Sequence, residues 1–354
     1  MKALWISPGF AADENDTTCI PVLQTLALAM KSIGIEIFIM TIDYPHHTDR
    51  YLWDNIPVKS NAFFKIKLLK WYNWYRAYQY GVRLQKEKHF DMVHSFWLGP
   101  AWLIGKAISK KHKIPHLTTS MGQDVLPSNR YRFLIQPEDL KNIITVSAYQ
   151  AKVFFDTFHI KPLMTIEWGL NASELPGQNK GIRPIDILGC GSLIKLKNWK
   201  MWIEIVSALM DQDPNLNASL IGDGPDKNKL ERQIRILQKQ NRIKLLGALS
   251  RSEVFKLMAD SKVLLHTSLY ESYGLVMAEA RAMGCSVVST PVGIAVKICL
   301  TNAHKEGLIQ LVKKCLSADE IIPAYEINSI HFTASQYKEV YSTKIELFKK
   351  ETPG

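Results

Sequence analysis

Two carboxylates eight positions apart, with a glycine between them, mark the stretch His266–Gly293, HTSLYESYGLVMAEARAMGCSVVSTPVG. The pattern predicts a strand, the loop Glu271-Ser272-Tyr273-Gly274, and a helix from Leu275. A helix N-terminus carries unpaired N–H groups and a partial positive charge, so a phosphate could sit against Tyr273, Gly274 and Leu275. Gly274 permits close backbone approach. Glu279 falls in the second helical turn with its side chain leaning back toward the N-terminus. A carboxylate there could accept hydrogen bonds from both hydroxyls of a ribose, while Glu271 in the loop is nearer any reacting centre. Taken alone, Glu279 also reads as an acid complementing the helix dipole.

A second stretch, Gly189-Cys-Gly191-Ser192-Leu-Ile-Lys-Leu-Lys197-Asn198, follows an apolar run. It lacks the third glycine of a dinucleotide fingerprint. Lys197 could set a compact cation against charge growing on a departing phosphate. Alternatively, Lys195, Lys197 and Lys200 form a solvated helix cap. Ile221-Gly222-Asp223-Gly224-Pro225 keeps a strand end open to a ligand, or is an ordinary strand-to-helix turn. His46, His47 and His112 lack ligand partners at useful spacing.

These residues need a scaffold, and the chain alternates strand and helix twice over. Ala3–Ile6 reads as a strand, Thr17–Ser32 as a helix ended by Gly34, and Ile35–Ile42 as a strand. Met92–His94, a helix over Ala101–Lys111, and the extended runs Pro115–Thr119, Asn142–Val146 and Met164–Glu167 follow. Asn171–Pro184, polar and rich in Gly and Pro, reads as a linker. Beyond it strands are expected at Ile185–Cys190, Ala218–Ile221, Ile243–Leu246, Val263–His266 and Ser286–Ser289, with helices between them. Such alternation implies parallel, doubly wound sheets, whose ligands bind at the carboxyl ends of the strands, here in a cleft between two halves. Thr333–Lys349 reads as a closing amphipathic helix.

The length of 354 residues suits two domains, and 47% hydrophobic against 22% charged residues excludes a disordered or fibrous chain. An excess of 44 Lys and Arg over 33 Asp and Glu gives +11, which points to an anionic partner without choosing one. The five cysteines (Cys19, Cys190, Cys285, Cys299 and Cys315) form neither a disulfide framework nor a zinc spacing, as a reducing cytosol permits. The opening MKALWISPGF is too short an apolar run for a signal peptide, and no run is long enough to span a bilayer. The expected location is cytoplasmic, with any membrane contact peripheral. Basic residues and aromatic rings interleave over Lys59–Lys88, including Phe63, Phe64, Lys65, Lys67, Trp71, Tyr72, Trp74 and Tyr75. Two readings stand for this segment: a helix lying on an anionic bilayer, or a basic face over an aromatic core. A nucleic-acid partner is not expected, because no RNA or DNA module is recognisable.

The stretch from Glu271 resembles the donor signature of glycosyltransferase family 4, retaining enzymes of the GT-B fold. The family pattern E-x-F/Y-G-x-x-x-x-E-A, then A-x-G-x-P-V-V and T-x-x-G, is met by Glu271, Tyr273, Gly274, Glu279, Ala280, Ala282, Gly284, Val287, Val288, Thr290 and Gly293. The resemblance implies that the first Glu faces the transferred sugar. The second Glu would bind the nucleotide ribose, and the intervening amides would hold the diphosphate. Lys197 stands at the lysine of the family's G-x-L-x-x-x-K segment, with Ser192 where relatives often have Arg. Gly222 and Gly224 match its G-x-G-P turn, and Gly247 falls in a stretch like its base-binding loop. Less closely, Ser7-Pro8-Gly9 resembles the glycine loop after the first strand, and Phe90–His94 its D-x-V-H strand. Ser120–Asp124 resembles its H-G-x-D segment, with Met121 in place of the histidine that faces the sugar. Asp211-Gln212-Asp213 has the D-x-D form of the other large glycosyltransferase fold, but it lies beside Pro214 between a helix and a strand and is read as chance.

The expectations are therefore specific. The fold class is α/β, GT-B, with two Rossmann-like domains: 1–170 for the acceptor, a linker over 171–184, 185–332 for the nucleotide sugar, and a helix over 333–354 packing back on the first domain. The expected activity is transfer of a hexosyl group, with retention and without a metal or other cofactor, to a glycan or lipid-linked hydroxyl in surface polysaccharide or glycolipid synthesis. A UDP-sugar is the favoured donor and GDP-mannose the alternative. Glu271 and Lys197 are the expected catalytic residues. Gly9, Gly191, Ser192, Gly222, Gly224, Gly247, Ser272, Tyr273, Gly274, Leu275 and Glu279 join Lys197 at the donor, and Met121 and Asp124 face the sugar or acceptor. The other readings are a non-catalytic GT-B scaffold, to which Met121 and Ser192 point, and a glycosyl phosphorylase of the same fold; an epimerase lacks support.

Overall fold

The computed structural model describes residues 1–17, 19–47, 49–62, 70–176, 181–317 and 327–351. Phe63, Phe64, Lys65 and Lys67 of the basic aromatic segment, and Gly177–Lys180 of the expected linker, lie outside the described residues. The chain forms two compact α/β units, Met1–Gly169 with Asn328–Gly354, and Leu170–Ile327.

The first unit is laid down as β1 (Lys2–Gly9), α1 (Pro21–Ser32), β2 (Glu36–Tyr44), β3 (Arg50–Trp53), β4 (Ile56–Ser60), α2 (Lys70–Lys88), β5 (Met92–Phe96), α3 (Pro100–His112), β6 (His116–Thr119), α4 (Pro137–Leu140), β7 (Ile143–Thr145), α5 (Ala148–Phe158) and β8 (Met164–Thr165). Its sheet has the order β3-β4-β2-β1-β5-β6-β7-β8. All neighbours are parallel except the hairpin β3–β4. Ala3, Leu4, Trp5 and Ile6 are all buried, as a strand covered on both faces requires. One face packs Leu4, Ile6, Phe38 and Met40 against Ala77 and Val82 of α2 and Ala101, Ile104 and Ile108 of α3.

The second unit repeats the plan: β9 (Ile185–Cys190), α6 (Trp199–Gln212), β10 (Ala218–Ile221), α7 (Lys227–Ile236), β11 (Ile243–Gly247), α8 (Arg251–Ala259), β12 (Ser261–His266), α9 (Leu275–Ala282), β13 (Ser286–Ser289), α10 (Ala295–Ile298), β14 (Leu300–Thr301) and α11 (Lys305–Ser317). Every strand pair is parallel, in the order β11-β10-β9-β12-β13-β14. The strand order therefore reverses between β9 and β12, and a crevice opens outside the carboxyl ends at such a reversal. Trp202, Ile203, Ile205, Val206 and Leu209 of α6 press on Ile187, Leu220 and Val263 and make the core of this unit.

A last helix, α12 (Ile330–Glu351), belongs to the first unit. Thr333 Oγ1 donates to the Glu167 carbonyl at 2.8 Å. Tyr337 and Tyr341 are fully buried there. Tyr341 Oη accepts from Trp5 Nε1 at 3.0 Å and lies 2.6 Å from His94 Nδ1. Thr119 Oγ1 bridges His94 Nε2 at 2.9 Å and Tyr337 Oη at 3.0 Å.

Several elements differ from the sequence reading: α1 starts at Pro21 and not Thr17, and α10, β14 and α11 are not expected from it. The hairpin β3–β4 is not expected from the sequence, because its strands carry Arg50, Tyr51, Pro57 and Lys59 in place of an apolar run. Helix α5 stands where the sequence reading has only a connection; Ser147 caps it by accepting from the Gln150 amide. Helix α2 takes up part of the basic aromatic segment and divides its rings. Trp74, Tyr78 and Tyr80 pack against the core, while Trp71, Tyr72 and Tyr75 are exposed.

Candidate active site

The residues singled out in the second unit gather at the reversal between β9 and β12. Lys197 lies in a 3-10 turn (Lys195–Lys197) beyond β9, and Glu271 in the loop beyond β12. The two loops are laced together. Leu269 N donates to the Leu196 carbonyl at 2.8 Å, and Thr267 Oγ1 to the carbonyls of Lys197 and Asn198 at 3.1 and 3.2 Å.

Lys197 and Glu271 form an ion pair through Nζ and Oε1. The same oxygen accepts from Ser268 Oγ at 2.8 Å and from His266 Nε2 at 3.0 Å. An ionised carboxylate only accepts, so His266 carries its proton on Nε2. Burial raises the carboxyl, but the hydrogen bond from His266 and the charge of Lys197 overcome it and bring Glu271 down to about 2. A group ionised throughout the neutral range cannot serve as a general acid. Its chemistry here is a fixed negative charge that also orients Lys197. Lys197 is mostly covered, whereas Lys200 is solvated at 78% side-chain exposure, so the two lysines do not share a role.

Glu279 lies on α9, whose first turn no side chain caps. It is buried, and burial drives its carboxyl up to about 7 against the opposing charge of Arg251. Arg251 Nη1 stands 2.8 Å from Glu279 Oε1 as an ion pair, and Oε1 has no other partner among the described residues. A buried carboxylate oxygen with spare accepting capacity suits a hydroxyl-bearing ligand.

The glycine turns are close-packed backbone crossings. Gly222 has φ +139°, and a Cβ there would meet the Gly191 carbonyl oxygen at 2.0 Å. Gly293 has φ +57°, and a Cβ would meet the Tyr273 carbonyl oxygen at 2.0 Å, the atom that accepts from Ile294 N. Gly224, Gly247 and Gly274 turn with positive φ at the carboxyl end of β10, the end of β11 and the cap of α9. Ser192 is exposed and its carbonyl accepts from Trp199 Nε1 at 2.9 Å. Ser272 and Leu275 are half-buried beside the buried Tyr273.

Gly9, Met121 and Asp124 belong to the first unit. Gly9 ends β1, where Ser7 Oγ donates to its carbonyl at 2.7 Å. Asp124 accepts from Leu98 N and Gly122 N, each at 2.8 Å, so its carboxylate braces the loop carrying the half-buried Met121. Asp211 is ion-paired with Lys239, and Asp213 accepts from Asn215 N at 2.9 Å. Among the described residues no group of three or more His, Cys, Asp or Glu could hold a metal ion.

Residues 176–322 match the family model for glycosyl transferases group 1. The second unit is a group 1 glycosyl transferase domain. An uncharacterized glycosyltransferase of Methanocaldococcus jannaschii is 27% identical over 222 residues, 61% of this chain and 60% of that protein. One polypeptide of the human phosphatidylinositol N-acetylglucosaminyltransferase is 33% identical over 109 residues, 31% of this chain and 22% of that protein. The chain thus matches less than two thirds of the length of either relative. Sucrose-phosphate synthase from Thermosynechococcus elongatus has a TM-score of 0.74 at 12% identity, covering 99% of both chains. The architecture is the GT-B fold.

Four residues of the group 1 domain site are not singled out by the sequence: His266, Ser268, Arg251 and Glu174. His266 and Ser268 flank the end of β12 and are readable as polar residues closing an apolar strand just before an acid. Arg251 and Glu174, 77 positions apart, meet only through the fold.

Proposed function

We propose that the protein transfers a glycosyl group from a nucleoside diphosphate sugar to a hydroxyl of a glycan or lipid-linked acceptor, with retention. A UDP-sugar is the favoured donor and GDP-mannose the alternative. The observation that carries this reading is the Lys197–Glu271 pair at the reversal of a group 1 domain sheet, with Glu279 one helical segment further on. In the proposed step the sugar C1–O bond to the diphosphate breaks and a C1–O bond to the acceptor forms on the same face. The acceptor proton passes to the departing phosphate oxygen, so no protein base is required. Lys197 and the start of α9 would stabilise the diphosphate. Glu271 would hold Lys197 and meet the oxocarbenium-like sugar as a fixed charge, and Glu279 would take the ribose hydroxyls. No metal takes part in this scheme.

The acceptor is proposed to be presented at an anionic membrane surface, with the protein peripheral on its cytoplasmic side. Trp71 and Tyr75 project from α2 at 60% and 55% exposure, alongside Arg76 and Arg83. Amphipathic rings and basic residues together suit a headgroup layer. The name of the human relative, which specifies phosphatidylinositol, is in keeping with a lipid-linked acceptor. Among the described residues no helix is long and apolar enough to cross a membrane. The test is incubation of the purified protein with UDP-, GDP- and ADP-sugars, with and without lipid acceptors, followed by mass spectrometry. Release of a nucleoside diphosphate and a glycosylated lipid supports the reading. No release from any donor favours a non-catalytic scaffold.

A further inference from the structure

We propose that Arg251, anchored by Glu174, is the positioning residue that aims the Glu279 carboxylate for a ribose diol. This deepens the donor reading above and rests on it. Arg251 is the first residue of α8, and a reciprocal capping pair fixes that helix end: Ser250 N donates to Glu253 Oε2 at 2.8 Å and the Ser250 hydroxyl accepts from Glu253 N. The guanidinium is then held on three sides. Its Nε donates to Glu174 Oε2 at 2.8 Å, its Nη1 stands 2.8 Å from Glu279 Oε1, and its carbon lies 4.6 Å from the Phe255 ring centre. Glu174 is itself fixed, because Asn171 Nδ2 donates to its other oxygen at 3.0 Å.

Two acids converge on one cation, so Arg251 does not satisfy all the acceptors of Glu279, and they stay available to hydroxyl protons. A planar guanidinium can engage both acids at once, which a lysine ammonium does less well. The groups facing Glu279 are Arg251 from α8, Glu174 from the 3-10 turn Ala172–Glu174, and Cys190 at the end of β9. Burial pushes the Cys190 thiol up to about 12, so it stays neutral around the site. Burial and Glu174 both raise Glu279, and Arg251 opposes them. Without Arg251 the carboxyl would rise further and bind a proton more readily, losing accepting capacity where a diol needs two acceptors.

The experiment is calorimetric titration of UDP, GDP and ADP into the wild type and into Arg251→Ala, Arg251→Lys and Glu174→Gln, from about pH 6 to about pH 8.5, with melting curves as a check of folding. For the nucleotide that binds, Arg251→Ala should weaken affinity about 10–100-fold near pH 7, the scale of hydrogen bonds to a charged group, and recover part of it near pH 8.5. Arg251→Lys should lie between. Glu174→Gln should shift the pH midpoint of binding downward, because it removes a charge that raises Glu279. Arg251→Ala binding with wild-type affinity and pH profile overturns the proposal, as does a Glu174→Gln midpoint that does not move. If the alanine variant does not fold, Arg251→Lys and Glu174→Gln still decide. Binding of no nucleotide by the wild type overturns the donor reading and this proposal together, whereas nucleotide binding that ignores all three variants overturns this proposal alone.

Discussion

His266 closes β12 with its Nε2 3.0 Å from Glu271 Oε1, so one carboxylate oxygen collects a strand-end histidine, the Ser268 hydroxyl and the Lys197 ammonium. Three donors on one oxygen make Glu271 a poor base and a well-fixed charge. Replacing it by glutamine keeps the shape and removes that charge. Glu271→Gln should lower kcat by about 100-fold or more, the scale seen when an electrostatic stabiliser is lost, with nucleotide affinity changed far less. His266→Ala removes one donor of three and should cost about tenfold in kcat. Steady-state kinetics with the active donor checks both; a kcat for Glu271→Gln within about threefold of wild type would remove Glu271 from the chemistry.

The two site acids should bend the pH dependence of stability in opposite directions. Glu271 sits at about 2, below its ordinary 4.5, so its stabilisation is present above about pH 4.5 and is lost as pH falls toward 2. Glu279 sits at about 7, above 4.5, so the folded form binds the proton more tightly and this carboxyl costs stability as pH rises from 4.5 through 7. Calorimetric Tm values between about pH 3 and pH 8 should show Glu271→Gln flattening the acid limb. Glu279→Gln should flatten the neutral one. An unchanged acid limb in Glu271→Gln would show that its carboxyl is not held low.

Much of this architecture was legible because parallel strands are covered on both faces and so read as short apolar runs. Ile185–Cys190 and Ala218–Ile221 are found at the residues expected, and the helix from Leu275 starts where expected. The hairpin β3–β4 escaped because it closes the edge of the sheet, where Arg50 and Lys59 are not forced apolar. In the site, Lys197, Glu271 and Glu279 could be named because their spacing within strand-loop-helix segments is local. The partners that set their charge states, His266 apart, come from elsewhere in the chain. Arg251 reaches Glu174 across 77 positions, and Lys197 reaches Glu271 across 74. No local spacing encodes such meetings.

Gly222 offers a test of the loop architecture independent of charge. Its φ is +139°, and a Cβ added there would stand 2.0 Å from the Gly191 carbonyl oxygen, which leaves no room for a side chain. The Gly222 amide also donates to the Gly247 carbonyl at 2.8 Å, so the turn cannot simply rotate away. Gly222→Ala should destabilise the second unit by about 2 kcal/mol or more, and donor affinity should fall with it. A denaturation midpoint equal to wild type would show that the turn relaxes freely.

If α2 docks on a headgroup layer, its exposed rings and its basic residues should contribute separately. Trp71→Ala combined with Tyr75→Ala removes exposed aromatic surface and should reduce co-sedimentation with phosphatidylglycerol vesicles at every salt concentration. Arg76→Gln with Arg83→Gln should weaken binding by about 1 kcal/mol per charge at low salt, with little further effect at high salt. Equal sedimentation of all variants, or none by the wild type, would leave α2 as a plain solvated face.

Tyr341 joins the last helix to the first strand and can be tested by deleting one atom. Its hydroxyl accepts from Trp5 Nε1 at 3.0 Å and shares a hydrogen bond with His94 Nδ1 at 2.6 Å. His94 Nε2 lies 2.9 Å from Thr119 Oγ1, which in turn lies 3.0 Å from Tyr337 Oη, so one hydrogen-bonded chain joins the three rings. Burial lowers the His94 pKa well below its ordinary value, so the imidazole in this chain is neutral. Tyr341→Phe keeps the ring packing but leaves a buried indole N–H and a buried imidazole nitrogen unpaired. The cost should be about 1–3 kcal/mol for each stranded group, well above the cost of a surface change on the same helix. Urea unfolding followed by tryptophan fluorescence reads it, since Trp5 is in the network. Lys349→Ala, near the end of α12 and remote from these rings, is the control. Equal midpoints for Tyr341→Phe and Lys349→Ala would show that the buried chain contributes nothing to holding α12 in place.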